Sequence, residues 1–351
     1  MKLSDLTNHA GEWLRGSGPQ NDIVISSRMR LARNIGGFPF LARASRHQRQ
    51  VLENRIRDTI LGSQVSAQVL YIDLEQAPQM DRDLLVERHL ISKPHAMADG
   101  ARGVAVTEDE TAAIMVNEED HLRIQVLRSG LQLDEAWEQI NEIDDKLEAR
   151  LDFAFHPRFG YLTACPTNVG TGVRVSVMLH LPALKLTGEI EKVFRAAKEM
   201  RLAVRGLYGE GTEATGDFYQ ISNQTTLGKS EQDTISEFRL HVVPKIVEYE
   251  QHARRQLLND RTVALDDKVC RALGLLRSAR LLASDETLFL LSHVRMGVNL
   301  GRVKDIDVRT VNELFLLTQP AHLQKIQGRK LEGDLRRAAR AEYVRQRLNG
   351  K

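Results

Sequence analysis

The chain has 351 residues, 42% hydrophobic and 27% charged, enough to bury a substantial core without disulfides or a structural metal. Lys+Arg total 49 against 47 for Asp+Glu, and the net charge of +2 excludes bulk attraction to nucleic acid or anionic lipid. Cys165 and Cys270 make no disulfide framework, no apolar run approaches the roughly 18 residues of a membrane span, and the start MKLSDLTNHAGEW lacks a signal pattern, so a cytoplasmic protein is expected.

From the N-terminus, the loop Gly16 to Asp22 leads into the apolar run Ile23-Val24-Ile25. Arg46 to Leu61 has Val51, Leu52, Ile56 and Ile60 at helical spacing. Val69 to Asp73, Gly103 to Val106, Ala112 to Asn117 and Leu122 to Leu127 are β-branched or alternating runs bounded by turn residues, and predict successive strands. Leu133, Trp137, Ile140, Ile143, Leu147 and Leu151 predict an amphipathic helix. Strands are expected at Tyr161 to Ala164, Val173 to His180 and Phe218 to Ser222, with helices capped at Thr187 and spanning Glu231 to Glu250. Strands in runs rather than in alternation with helices imply an α+β fold with an antiparallel sheet. The polar stretch Gln251 to Arg261 reads as a linker, and Ser284 as the cap of a helix ending before Gly301. The expected division is a catalytic-sized domain, 1–254, followed by an all-α domain, 255–351.

Two familiar motifs fail. Asn223 to Ser230 nearly spells a phosphate loop, but Asn223 stands where the first glycine is required, so a turn and helix start is expected. Gly170-Thr-Gly172 lacks the third glycine of a dinucleotide site. With no Cys-x-x-Cys or His-Glu-x-x-His, no protein-bound metal is expected.

Four polar clusters sit at strand ends and turns. Arg28 and Arg30 alternate in Ser26-Ser27-Arg28-Met29-Arg30, so an extended segment faces both guanidinium groups the same way, as two solvated arginines or as a paired clamp for phosphate. Asn117-Glu118-Glu119-Asp120-His121-Leu122-Arg123 places three acids between two strands. Cys165-Pro-Thr-Asn-Val-Gly-Thr171 precedes Arg174-Val-Ser-Val-Met178, and Arg205-Gly-Leu-Tyr-Gly-Glu210 has the glycine of a mobile loop. Arg28, Arg30, Arg123, Arg174 and Arg205 are more positive charge than a core tolerates without an anion between them.

In order along the chain, SSRMRLARN, NEEDHLR, ACPTNVGT, RVSVM, RGLYGE and ISNQTTLGKSEQD resemble the phosphagen (guanidino) kinase family, in its bacterial protein-arginine kinase branch. LTQPAHLQ in the C-terminal region is similar to that branch too. The resemblance implies an antiparallel-sheet guanidino-kinase domain, a helical domain for dimerisation or substrate docking, ATP and Mg²⁺ as cofactors, and phosphorylation of arginine side chains in stress response and protein quality control. It assigns catalysis to Glu119 as base, Glu210 on the mobile loop, and Cys165 against the guanidinium, with Asp120 a lesser candidate for metal or substrate. Nucleotide contacts are implied at Ser26, Ser27, Arg28, Met29, Arg30, His89, Arg123, Arg174, Val175, Ser176, Val177, Met178, Arg205, Gly206, Leu207, Tyr208, Gly209 and Glu210. Implied partners are proteins with exposed arginines, an activator protein, a protease–chaperone complex and a second copy of the chain, with no membrane and no specific nucleic acid.

Two alternatives stand beside this one. A kinase of small guanidino metabolites carries a helical domain before the first arginine motif, where only 25 residues precede Ser26 here. An idle phosphoarginine-binding module would use the basic tail, but that tail's apolar residues are interleaved as in an amphipathic helix. The branch's Arg-Asp-x-x-Arg-Ala phosphoarginine motif aligns with Gly333-Asp334-Leu335-Arg336-Arg337-Ala338. Asp334 and Arg337 remain while the leading fork is lost, so weakened phosphate capture is expected.

Overall fold

Alternation along the strands decides the architecture. The computed structural model describes residues 3–8, 10–207 and 215–350. The first part comprises β1 (Val24–Arg33), α1 (Arg46–Gly62), β2 (Val69–Asp73), α2 (Gln79–Glu87), α3 (Lys93–Met97), β3 (Gly103–Thr107), β4 (Ala112–Val116), β5 (Leu122–Ser129) and α4 (Leu133–Glu148). There follow β6 (Phe155–His156), β7 (Gly160–Tyr161), β8 (Val173–His180), α5 (Pro182–Thr187), α6 (Ile190–Glu199), β9 (Leu202–Arg205), β10 (Phe218–Asn223), α7 (Glu231–Glu237) and α8 (Val243–Asp260). The chain ends in α9 (Thr262–Ser278), α10 (Ser284–Asn299), α11 (Val308–Leu317), α12 (Pro320–Ile326) and α13 (Gly333–Leu348). No helix among the described residues is long and apolar enough to cross a membrane.

Eight strands form one antiparallel sheet in the order β2-β3-β4-β5-β1-β8-β10-β9. Met29, Leu31, Ile124, Val126, Val175, Val177 and Ile221 turn to one face and are buried, with Ala136, Ile140, Ile143 and Leu147 of α4 laid against that core. A one-residue slip of β1 would expose Met29 and Leu31, each worth about 1.5–3 kcal/mol of burial, and would drive guanidinium groups into the core. Register is therefore fixed. On the opposite face the sheet is covered over β2–β4, where Val104, Val106, Ala113 and Met115 pack with Leu74, Leu85, Leu90, Ile91 and Ala96, and at one end of β8 and β10, where His180 and Phe218 meet the C-terminal helices. Over β5, β1, β8, β10 and β9 that face carries polar residues and borders a cleft.

The C-terminal helices pack back onto the sheet. Phe218 of β10 meets Phe315 of α11 edge to face, ring centroids 4.8 Å apart. Arg295 of α10 is fully buried and donates to the carbonyls of Asn21 (2.6 Å) and Asp22 (2.9 Å) and to Asn312 Oδ1 (2.9 Å), 3.1 Å from His180 Nδ1. Burial, then the charge of Arg254, pulls its pKa down to about 9.

Several local expectations are corrected. Of the expected strand Tyr161 to Ala164 only Tyr161 lies in a strand, the two-residue β7 paired with β6. Thr187 ends α5 rather than capping the next helix: its hydroxyl donates back to the Ala183 carbonyl (3.0 Å), and Gly188 at φ +78° breaks the chain before α6. Glu231 to Glu250 is interrupted by a π turn at Phe238–Val242, because Pro244 has no N–H to continue the ladder. Gln251 to Arg261 is no linker; α8 runs to Asp260, burying Ala253 and Leu257 one turn apart, and Arg254 pairs with Glu250 at 2.9 Å. Its polar composition concealed a buried ionic pair. Ser284 is the first residue of α10, with Ala283 at the cap.

Removing a buried guanidinium that satisfies several acceptors should cost about 3–5 kcal/mol. Arg295→Ala is expected to lower the urea unfolding midpoint accordingly with an unchanged slope; an unchanged midpoint would show that the helices stay docked without it.

Candidate active site

The open face of the sheet is built by pairing register. Arg30 of β1 lies opposite Arg174 of β8 and Gln125 of β5, Arg28 opposite Ser176, and Gln220 of β10 opposite Arg205 of β9. Arg123 sits one pair along β5, opposite Ala32. Residues far apart in sequence thus place five guanidinium groups on one face. Arg28 donates to Gln220 Oε1 (2.5 Å) and Ser176 Oγ (3.5 Å). Arg174 reaches the Asn223 carbonyl and Asn168 Oδ1, both at 3.1 Å. Arg30 is 7% exposed, and its buried Nε and Nη2 have no hydrogen-bond partner. Unmet donors in so positive a setting fit an incoming polyanion. Burial, then the charges of Arg123, Arg205 and Arg174, brings the Arg28 pKa to about 9, and burial with the same neighbours holds Arg30 well below its ordinary value.

The three acids of the β4–β5 turn divide into three roles. Glu118 pairs with Arg123 (2.8 Å) and accepts from Ser92 Oγ (2.6 Å), the residue that caps α3. Burial alone would raise its pKa, yet Arg123 and the Ser92 bond hold it at about 2. Asp120 is 3% exposed and accepts from Asn34 Nδ2 (2.6 Å) and from the Ala164 N–H (2.7 Å), which ties the turn to the Cys165 loop. Both bonds fall on Oδ1, so Asp120 positions the turn while its carboxylate also lines the cleft. Glu119 alone is exposed, and burial of its carboxylate with the charges of Asp120 and Glu118 raises its pKa.

Two hollows of the cleft meet at these residues. One is lined by Asp120, Cys165, Asn168 and Arg174, the other by Arg28, His89, Gln125 and Gln220; both include Arg30, Glu118, Glu119, Arg123 and Arg205. Cys165 Sγ lies 3.0 Å from Thr167 Oγ1. His89 stands at φ +60°, edge-on to Trp13 with ring centroids 4.4 Å apart, and burial, then Arg28, lowers its pKa to about 3. Ser26, Ser176 and Met178 line the floor beside His89, and Gly206 and Leu207 line the rim.

Other expected contacts face away. The side chains of Met29, Val175 and Val177 lie in the core beneath the sheet. Ser27 is spent on structure, donating to the Gly130 carbonyl (2.8 Å) and accepting from the Gln132 N–H (3.0 Å). Any contact these residues make with a ligand must come from backbone. Tyr208, Gly209 and Glu210 lie outside the described residues. Gly333 opens α13 at φ +52°, and the Asp334–Arg337 pair is exposed at 3.2 Å. An arginine at 333 would meet open space yet inherit a strained backbone.

Sequence reasoning missed Glu118, Gln125, Asn168, Gln220 and Asn223. Gln220 and Ser222 were visible as alternate polar residues within an apolar strand. Asn223, which spoiled the phosphate-loop pattern, extends the ladder instead: its side chain accepts from the Val175 N–H (2.9 Å) and donates to the Val173 carbonyl (3.1 Å).

Comparison with known proteins places these features. A family model described as ATP:guanido phosphotransferase, C-terminal catalytic domain, matches residues 51–253, and one described as Protein-arginine kinase McsB C-terminal domain matches residues 262–351. The protein-arginine kinase of Halothermothrix orenii is 46% identical over 350 residues, covering 99% of this chain and 100% of that protein. That of Symbiobacterium thermophilum is 48% identical over 357 residues, covering 99% and 100%. Among solved structures, a duplicated taurocyamine kinase from Schistosoma mansoni superposes with a TM-score of 0.61 at 28% identity, covering 72% of this chain and 36% of that one. Lombricine kinase gives 0.58 at 28% identity, covering 67% and 68%.

Arg28→Ala and Arg174→Ala should each remove a charge-assisted phosphate contact worth roughly 1.5–3 kcal/mol. Calorimetric titration with ATP is expected to show affinity lower by about one to two decades in both; wild-type affinity in both would refute the guanidinium clamp.

Proposed function

The chain belongs to the protein-arginine kinases of the phosphagen kinase family, and on that premise we propose how its own residues move the γ-phosphoryl group of ATP onto arginine side chains of proteins. The observation that carries the reading is the pair of hollows sharing Arg30, Glu118, Glu119, Arg123 and Arg205. The nucleotide takes the hollow lined by Arg28, His89 and Gln220, and the acceptor guanidinium enters beside Cys165. Transfer occurs between them, where the arginines offset charge as the phosphoryl group passes in line.

A guanidinium is protonated in water, its lone pair delocalised, and is then no nucleophile. Glu119 orients the acceptor nitrogen and takes its proton as the N–P bond forms and the bond to the leaving ADP oxygen breaks. Its exposure and raised pKa suit a base that must meet an incoming side chain. Cys165 lies against the guanidinium from the other side, and Glu210 is the second carboxylate. Mg²⁺ carried with the nucleotide would neutralise phosphate charge.

The functional division places catalysis in 1–254 and docking in 255–351. Val263, Leu275, Phe289 and Leu335 are exposed apolar side chains on α9, α10 and α13, which supports a second copy of the chain as partner there. An activator protein and a protease–chaperone complex are further partners proposed from family resemblance. The competing acceptor is free arginine. Incubation with ATP, Mg²⁺, free arginine and an arginine-rich protein is expected to place acid-labile phosphate on the protein; label on free arginine alone would establish the small-molecule reading.

Glu119→Gln should lower turnover by about two decades or more while ATP affinity stays within twofold. In the wild type, kcat/KM for a protein acceptor should fall as pH drops through the Glu119 pKa, at a higher pH than an ordinary glutamate gives, because only the carboxylate accepts the proton. Near-normal turnover of Glu119→Gln would remove it as the base.

A further inference from the structure

The C-terminal helical region reaches the nucleotide side through a buried polar chain. Glu87, the last residue of α2, accepts from the backbone N–H groups of Ala321 (2.7 Å) and His322 (3.0 Å) at the start of α12, and its Oε2 is 2.7 Å from His322 Nδ1. His322 Nε2 is 3.1 Å from Arg88 Nη1, and Arg88 forks onto Glu110 at 2.7 and 2.5 Å. A guanidinium only donates, so His322 Nε2 accepts, and the ring proton sits on Nδ1 toward Glu87. The ring is fully buried, and burial holds it below its ordinary pKa against the pull of Glu87. LTQPAHLQ is thus the segment that grips residues 87 and 88.

The next residue is His89, and its backbone needs to be held. The Leu90 N–H returns to the Leu85 carbonyl and the His89 N–H to Val86, each at 2.9 Å, closing α2 in the turn that ordinarily carries glycine at the left-handed position. Histidine occupies that position at φ +60°, a conformation that persists only where its surroundings over-determine it. On its far side Gln125 Nε2 donates to the carbonyls of His89 (2.7 Å) and Leu90 (3.2 Å). One anchor is therefore the guanidinium sheet and the other is α12.

We propose that Glu87 and His322 are positioning residues for the nucleotide, through which the C-terminal helices hold the His89 turn in its binding conformation. The proposal rests on the reading of His89 as a nucleotide contact. His322→Asn retains a donor toward Glu87 and loses the acceptor toward Arg88; Glu87→Gln retains a side chain of the same length and loses the charge, and serves where the first variant fails to fold. In the full-length enzyme at saturating protein acceptor, either change is expected to raise the KM for ATP three- to tenfold with kcat within twofold. Partial unfolding would instead lower kcat and leave KM alone.

His89→Ala removes the ring while leaving a side-chain-bearing residue at the left-handed position, so it tests the underlying reading. It should raise the KM for ATP, and adding His322→Asn in that background should change it no further. An unchanged KM in His89→Ala removes both the contact and the relay. A raised KM there, with wild-type KM in His322→Asn and Glu87→Gln, overturns the relay alone, as does an undiminished His322→Asn effect in the double variant.

Discussion

Five guanidinium groups share one face of an eight-stranded sheet, and the rest of the molecule is arranged to tolerate them. Like charges at such spacing repel, and burial strengthens the repulsion because less water screens it. Two partial remedies are built in: Glu118 neutralises Arg123, and neutral acceptors from Gln220, Asn168 and Asn223 spread the charge of Arg28 and Arg174. Arg30 has no comparable relief. Such a face suits an anion, and its apolar underside is packed by α4.

The same economy governs the acids. Three consecutive carboxylates would ordinarily behave alike, but the tight turn after Asn117, at φ +59°, sends each in a different direction. One meets a cation, one is buried among amide donors, and one faces the cleft. Environment, rather than residue type, separates an ion-pair partner and a positioning group from the candidate base. The Asp120–Ala164 bond also ties the Cys165 loop to the β4–β5 turn, two walls of the same hollow.

Much of this was legible in the chain. Strands β2, β3, β4, β5, β8 and β10 follow from alternation and turn residues, and the alternation of Arg28 with Arg30 foretold that both face one way. Illegible parts share a physical cause, namely polar residues engaged in the interior. Arg254 and Glu250 made a helix resemble a linker, Asn223 looked like a failed phosphate loop, and the Ser27 hydroxyl gave no sign that it ties β1 to the Gly130 turn. Composition cannot distinguish a polar group satisfied inside from one wetted outside. Motif strings likewise name positions without saying which face they take, which is why Met29, Val175 and Val177 point into the core although their neighbours line the cleft.

Strand order has a consequence for how the molecule comes into being. β1 is near the start of the chain, yet its neighbours are β5 and β8, and β10 must add before the Arg28 side chain finds Gln220. Contacts this distant in sequence form late and slowly, since loop closure must precede them. A chain that stops short of β10 lacks the Gln220 side chain and the Asn223 carbonyl that accept from Arg28 and Arg174.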